Sequence, residues 1–132
     1  MSIIDKFLKN IILLEEEGGE LFRFNGLIFY IAGRTEGKIP HLHFRNQDRI
    51  GAIRLDIAEY FPHGNPLKYT DKLTSKEQKI FYYLMTAKQT KITFGEVKTN
   101  YQLSLYLWNQ IPDVIQLDLN NPVPDYKNLK MP

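Results

Sequence analysis

Two histidines separated by a single residue, His41 and His43, are the side chains of this sequence best suited to chemistry. Residues two apart on a β-strand project to the same side, so a strand here would place both imidazoles in one neighbourhood. Imidazole can move protons near neutral pH, contact anions when charged and bind a metal ion when neutral. Arg45 and Arg54 follow closely, and their guanidinium groups can hold a phosphate or carboxylate through two hydrogen bonds.

The first interpretation of this group is a binding site for a phosphate-bearing ligand, formed by His41, His43, Arg45, Arg54 and His63. A phosphodiesterase or ribonuclease could use the histidine pair as general acid and base. Phosphoesterases built on twin histidine motifs carry a second His-x-Ser or His-x-Thr elsewhere in the chain. The one remaining histidine here, His63, is followed by glycine and asparagine. This argues against catalysis, and we assign no catalytic residue.

Two other interpretations of the histidines stay open. In one, His41, His43, His63 and Asp56 supply three nitrogens and one oxygen to a zinc ion. A two-residue histidine spacing does not by itself define a metal centre, and we assign no metal and no cofactor from the sequence. In the other, the histidines and arginines cover a solvated face of a sheet and pair across strands with Asp56.

The elements that position these residues begin with a hairpin at Asn25-Gly26, where both residues readily adopt the positive φ angles of a type I′ turn. We predict strands over about 20–24 and 27–32. Alternate apolar side chains then share one face, which must be buried. This face carries Phe22, Phe24, Leu27, Phe29 and Ile31.

A second predicted hairpin carries the histidines, with one strand from Ile39 to Arg45 and the other from Ile50 to Ile57. Its register pairs apolar residues on one face, Leu42 with Ile53, Phe44 with Gly51 and Pro40 with Leu55. The opposite face is polar almost throughout, and we expect it to lie in solvent. It collects His41, His43, Arg45, Ala52, Arg54 and Asp56, with Arg54 directly across from His41.

Two helices are predicted after a loop shaped by proline and glycine. Ser75 and Gln78 form a capping box before a helix over about 76–88, and a second helix begins near Asn100 and stops at Pro112. Tyr101, Leu103, Leu105 and Leu107 also fit the alternation of a strand, which stays open as an alternative for this second segment. Together these elements predict an α+β fold, an antiparallel β-meander of about four strands with helices packed on one face. We expect a single domain over 1–132, sheet-rich over 11–60, helical over 74–111 and irregular over the C-terminal tail 112–132.

The composition is typical of a globular protein and excludes several classes. The chain has 132 residues, 43% hydrophobic and 24% charged, with no cysteine for a disulfide or a thiolate metal site. Its net charge of +2 does not call for nucleic acid or a membrane, and it permits a homo-oligomer. The apolar run Ile11 to Leu14 is too short for a signal peptide or a membrane span, so we expect a cytoplasmic protein.

Two further stretches suit contact with a partner. Tyr60, Phe61 and Tyr69 give the loop after the second hairpin an aromatic character, and aromatic side chains dominate binding hot spots, so we predict that they bind a protein partner. All five arginines, Arg34 among them, fall within residues 21–54. The carboxylates of Glu15 to Glu17 could mimic phosphates toward a partner that binds nucleic acid.

Several motifs occur in an order that resembles a known family. They are Pro40-His41-Leu42-His43-Phe44, Leu55-Asp56 with Tyr60-Phe61-Pro62-His63-Gly64, Leu73-Thr74-Ser75-Lys76-Glu77, Leu107-Trp108-Asn109 and Pro124-Asp125-Tyr126. The pattern is similar to a family of small uncharacterised proteins of bacteriophages and mobile elements of gut bacteria. The Pro-His-x-His strand alone also resembles a domain of unknown function that usually has Phe in place of Leu42. The family brings no established activity, so the resemblance implies a context and no catalytic residue.

This context favours a phage or mobile-element accessory protein. Such proteins often inhibit host immunity, as anti-CRISPR proteins and sponges for nucleotide signals do. We therefore expect a non-enzymatic binding module that counters a host defence system in the bacterial cytoplasm, with a host defence protein or a phosphate-bearing nucleotide as its partner. A histidine-based phosphodiesterase or ribonuclease is one alternative, and a phage virion or assembly protein is another.

Overall fold

The computed structural model describes residues 19–33, 38–93 and 95–132. Four antiparallel strands form one sheet in the order β1-β2-β3-β4, as the sequence predicts for an α+β meander. Two helices and a short 3-10 turn follow. The elements are β1 (Gly19–Phe24), β2 (Leu27–Ile31), β3 (His41–Arg45), β4 (Ile50–Arg54), α1 (Ser75–Thr86), α2 (Asn100–Asn109) and the 3-10 turn Tyr126–Asn128.

Both predicted hairpins have the predicted register. Asn25 and Gly26 adopt φ angles of 47° and 79°, and Phe24 lies opposite Leu27. In the second hairpin Leu42 lies opposite Ile53, and His41 lies opposite Arg54. Since side chains alternate with a period of two, this register puts both histidines on the same face of the sheet.

The apolar face of the sheet packs against α1. The ring of Phe81, on α1, lies 4.9 Å from the ring of Phe29 and 6.1 Å from that of Phe22, measured between centroids. Met85, one turn further along α1, is also buried. A bulge in β1 between Glu20 and Phe22 brings the intervening Leu21 into the core as well.

The second strand of the second hairpin is shorter than predicted. β4 ends at Arg54, although the Leu55 N–H still donates to the Pro40 carbonyl at 3.0 Å. On the outer edge of β4 the Arg54 N–H donates to the Glu59 carbonyl, because the chain turns back between these two residues. Tyr60 then lies opposite Ile53 in an isolated antiparallel bridge. The 59–72 segment therefore starts along the outer edge of β4.

The helix α2 lies at one end of the sheet. The Tyr101 hydroxyl donates to the Leu55 carbonyl, just past the end of β4, at 2.6 Å. The Leu107 side chain approaches Gly19 at the start of β1. Thr99 and Gln102 form the capping box at its N-terminus, and the helix ends at Asn109, before Pro112, as predicted.

The N-terminus of α1 differs from the prediction by one residue. Thr74 caps the helix, and its hydroxyl accepts the Glu77 N–H at 3.2 Å while the Glu77 carboxylate accepts the Thr74 N–H at 2.8 Å. The predicted pair, Ser75 with Gln78, is displaced. Glu77 has the advantage of a charged acceptor that Arg49 holds in place through two hydrogen bonds of 2.6 and 2.7 Å.

We expect Glu77→Gln to destabilise the protein by about 1–2 kcal/mol at pH 7, because the amide keeps the cap but loses the charge paired with Arg49. The Arg49 hydrogen bonds lower the pKa of Glu77 from 4.5 to about 2. A lowered pKa stabilises the fold above pH 4.5, and this stabilisation disappears as the pH falls toward 2. Urea titrations should show a smaller difference in unfolding free energy between Glu77→Gln and wild type at pH 3 than at pH 7. A difference that does not depend on pH would contradict a stabilising role of the Glu77 charge.

Some sequence predictions fall on residues outside those described. They concern Arg34, the apolar run Ile11 to Leu14, the acidic cluster Glu15 to Glu17 and the start of the sheet-rich region, residues 11–18. Within the described residues, no helix has the length and apolar character needed to cross a membrane.

Candidate functional site

The face of the sheet that carries the histidines is not in solvent. His41 is 3% exposed and His43 is 1% exposed, so the prediction of a solvated polar face is wrong. The register of the strands could not predict this burial, because the side chains that cover the two histidines belong to a segment with no hydrophobic periodicity. The segment 59–72 starts at the edge of β4 and places the side chains of Phe61, His63 and Tyr69 over the two imidazoles.

Three aromatic side chains and a third histidine form this cover. The ring of Phe61 lies 4.7 Å from the rings of both His41 and His63. Tyr69 stacks on the rings of His43 and His63, at 4.3 Å and 4.5 Å. The ring of Trp108, from α2, lies 5.4 Å from that of His41. No pattern in the sequence predicted this contact between Trp108 and a histidine.

The loop that carries His63 is held by backbone hydrogen bonds. The N–H groups of Lys68 and Tyr69 both donate to the His63 carbonyl, at 3.0 and 2.9 Å. Gly64 has a φ of 120°, which residues with a side chain rarely adopt, and the Asn65-Pro66 peptide bond is cis. The tight turn explains why proline and glycine cluster here, and it brings His63 and Tyr69 into an isolated bridge.

Hydrogen bonds fix the orientation of two of the three imidazoles. His41 Nδ1 lies 2.6 Å from the Ile39 carbonyl, and His63 Nδ1 lies 2.8 Å from the Phe61 carbonyl. A carbonyl oxygen only accepts, so both Nδ1 atoms carry the proton when these rings are neutral. Their Nε2 atoms then carry the lone pairs. His63 Nε2 is turned toward His43 Nε2 at 3.2 Å.

His43 is neutral across the physiological pH range. Burial lowers its pKa from 6.5 to about 2, because a charged ring in this environment would lose its hydration. Positive charge on His41, His63 or Lys68 would lower the pKa further. Within the described part of the chain, its Nδ1 is buried and has no hydrogen-bond partner.

The arginines of the predicted ligand site are engaged elsewhere. The Arg54 guanidinium donates two hydrogen bonds to the Asp56 carboxylate, at 2.9 and 2.7 Å, and this pair lies two residues apart in one chain segment, where pairing across strands was predicted. Arg45 lies over the ring of Tyr30, 5.9 Å from its centroid. Of the five residues predicted to bind a phosphate, the three histidines lie together, while Arg54 contacts Asp56 and Arg45 contacts Tyr30.

The aromatic residues predicted to bind a partner expose little of their surface. Tyr60 is 4% exposed, and its hydroxyl accepts the Leu73 N–H at 3.0 Å. Tyr69 is 8% exposed, and Phe61 is partly buried against His41. The exposed apolar side chain of this loop is instead Leu67, which the sequence analysis did not single out. Leu67 lies between Pro66 and Lys68, and this position next to a turn-forming and a charged residue was the feature of the sequence that indicated its exposure.

Comparisons of this chain with protein-family models, curated proteins and solved structures find no match. The resemblance to phage and mobile-element proteins rests on the motifs alone. Function is therefore inferred from the buried histidines and from the surface around them.

Proposed function

We propose that this protein is a non-enzymatic binding module of a phage or mobile element, and that it counters a host defence system in the bacterial cytoplasm by binding a defence protein. The burial of His41 and His43 is the observation that favours binding over catalysis. A general acid or base must come within about 2.6–3.2 Å of a substrate atom or of a bridging water. Two imidazoles shielded by Phe61 and Tyr69 offer a substrate no such approach.

The 63–69 loop is the surface that best suits a protein partner. Leu67 is 66% exposed, and the loop borders a groove of about 840 Å³ lined by Gly64 to Tyr69. The two backbone hydrogen bonds to the His63 carbonyl hold the loop in one shape before any partner arrives. A preordered loop loses little conformational entropy on binding, so more of the contact energy appears as affinity.

A protein partner is favoured over a nucleotide. A phosphate would need guanidinium or imidazole donors that converge on open space. Arg54 already binds Asp56 in a two-point contact, and His43 is uncharged and covered. Leu67, which is 66% exposed on this loop, instead offers apolar surface that a protein partner can bury.

We expect Leu67→Glu to weaken binding to the defence protein by at least about tenfold, as loss of an interface hot spot does. The variant would be expressed in bacterial strains that each carry one defined defence system, and phage plating would be measured. Wild type should restore plating in at least one strain, and Leu67→Glu should restore it much less. Ile115→Glu is the matched control, since Ile115 is also an exposed aliphatic residue outside the loop, at 54%.

Two results would contradict this proposal. One is plating that the wild-type protein changes in none of the strains. The other is turnover of RNA or cyclic oligonucleotides by purified protein that disappears in His43→Phe, which would indicate a histidine-based nuclease. A ligand protected during purification and released intact on denaturation would identify a nucleotide sponge in place of a protein inhibitor.

A further inference from the structure

We propose that His41, His43 and His63 form a binding site for a divalent transition-metal ion, with zinc as the expected occupant, coordinated through the three Nε2 atoms. The three imidazoles each offer one ring nitrogen, and these nitrogens all lie within 4.8 Å of one another. In residues 19–33, 38–93 and 95–132, this is the one group of three or more histidine, aspartate or glutamate side chains with that property.

The spacing of the nitrogens agrees with tetrahedral coordination. Zinc–nitrogen bonds are about 2.0–2.1 Å long, so two ligands of one tetrahedral ion lie about 3.3 Å apart. His43 Nε2 and His63 Nε2 are 3.2 Å apart. The two most distant nitrogens of the three, up to 4.8 Å apart, have to approach each other by up to about 1.5 Å when an ion binds.

The hydrogen bonds that His41 and His63 make through Nδ1 are of the kind that metal-binding histidines make. A histidine that binds zinc usually donates its other N–H to a carbonyl or carboxylate, which fixes the tautomer and the ring orientation. His41 and His63 do so through Nδ1, to the carbonyls of Ile39 and Phe61. This protonation places the lone pair of each ring on Nε2, the nitrogen through which it would coordinate an ion.

The contact between the ring nitrogens of His43 and His63 is unfavourable in either tautomer of His43, and a bound metal ion would make it favourable. With His63 protonated at Nδ1, one tautomer of His43 sets two lone pairs 3.2 Å apart. In the other tautomer His43 carries its proton on Nε2 and donates it to His63 Nε2. The lone pair of His43 Nδ1 is then buried and accepts no hydrogen bond. A cation between the two Nε2 atoms binds both lone pairs. His43 Nδ1–H then still lacks an acceptor, so we expect weaker binding than at a site with all three rings supported.

The donor set selects the class of ion. Three imidazoles without a carboxylate suit zinc and its transition-metal neighbours, and not magnesium or calcium, which require oxygen ligands. Asp56, the oxygen ligand considered from the sequence, is bonded to Arg54 and is not part of the group. Three protein ligands leave a fourth tetrahedral position. The ion would join β3 to the 59–72 segment and so brace the loop that carries Leu67.

The test is zinc binding by untagged protein, because a histidine tag would bind the ion itself. Metal-free protein would be titrated with ZnCl2 by calorimetry and with CoCl2 by visible absorption. We expect one ion per chain, a tetrahedral cobalt spectrum and a rise in the melting temperature with zinc. His63→Phe keeps the ring that stacks on Tyr69 but removes the ligand. It should weaken zinc binding by more than about a hundredfold, since loss of a supporting hydrogen bond alone costs about 10–100-fold.

Asp56→Asn is the matched control, and it should bind zinc as wild type does. Circular dichroism establishes that each variant is folded. Nitrogen-15 spectra of wild type, whose only imidazoles are these three, provide a test that needs no variant: zinc should shift the Nε2 signals and leave Nδ1 protonated. Absence of saturable binding by folded protein, unchanged Nε2 signals, or equal affinity in His63→Phe would each overturn the proposal.

Discussion

Tyr126→Ala is expected to destabilise the protein by about 3–5 kcal/mol, the range found for removal of a large aromatic side chain from a core. Tyr126 is fully buried although it lies in the C-terminal tail. Its ring lies 4.9 Å from that of Phe81 and 6.4 Å from that of Tyr101, so it bridges α1 and α2. Its hydroxyl donates to the Arg54 carbonyl at 2.8 Å and so ties the tail to the end of β4.

Urea titration at neutral pH measures the loss of stability in Tyr126→Ala. One control variant removes only the hydroxyl of Tyr126, and the other removes an exposed tyrosine. Tyr126→Phe keeps the ring and removes one buried hydrogen bond, so it should cost about 1 kcal/mol. Tyr83→Ala truncates a tyrosine of α1 that is 68% exposed and should change stability by less than about 0.5 kcal/mol. If Tyr126→Ala cost no more than Tyr83→Ala, the tail would not be part of the core.

Gly51→Ala should have the second large effect, a loss of about 3 kcal/mol or more from overpacking. Gly51 lies opposite Phe44 in the β3–β4 ladder. A methyl group built there would overlap the Phe44 ring and lie 2.5 Å from the Asp71 carbonyl oxygen. The backbone of the 59–72 segment is fixed at this point, because the Asp71 N–H donates to the Ile50 carbonyl and the Asp71 carboxylate accepts the Ile50 N–H.

Gly95→Ala is the control for this effect, because a methyl group there meets no atom of the described residues within 4 Å, and the positive φ angles found among those residues do not include Gly95. It should be neutral or slightly stabilising, since alanine restricts the unfolded chain. Thermal unfolding of the two variants beside wild type gives the comparison. Equal melting temperatures for Gly51→Ala and Gly95→Ala would show that the 59–72 segment can move away from β4 at little cost.

The hairpins were predictable because local chemistry determines them. Asn25-Gly26 specifies its turn through two positive φ angles, and alternation of apolar residues then fixes which side chains face the core. The same logic placed Arg54 opposite His41, and the register agrees. The α2 boundaries also follow from local signals, the cap at Thr99 and the break at Pro112.

The environment of the histidines was not predictable in this way. Alternation shows which residues share a face, but it does not show what lies above that face. The cover comes from Phe61, His63 and Tyr69, in a segment that is shaped by proline and glycine and has no repeating pattern of apolar residues. Tyr126 was missed for the same reason, since it packs into the core from a short turn in an otherwise irregular tail.

The position of Trp108 has a practical consequence. It is the single tryptophan of the chain, it is 1% exposed, and its ring lies 5.4 Å from that of His41. Its indole N–H is held by the Ile115 carbonyl at 2.8 Å, so the ring keeps one orientation. Excited indole is sensitive to nearby imidazole charge and to bound ions, so the intrinsic fluorescence of the protein should report events at the histidines without any attached dye.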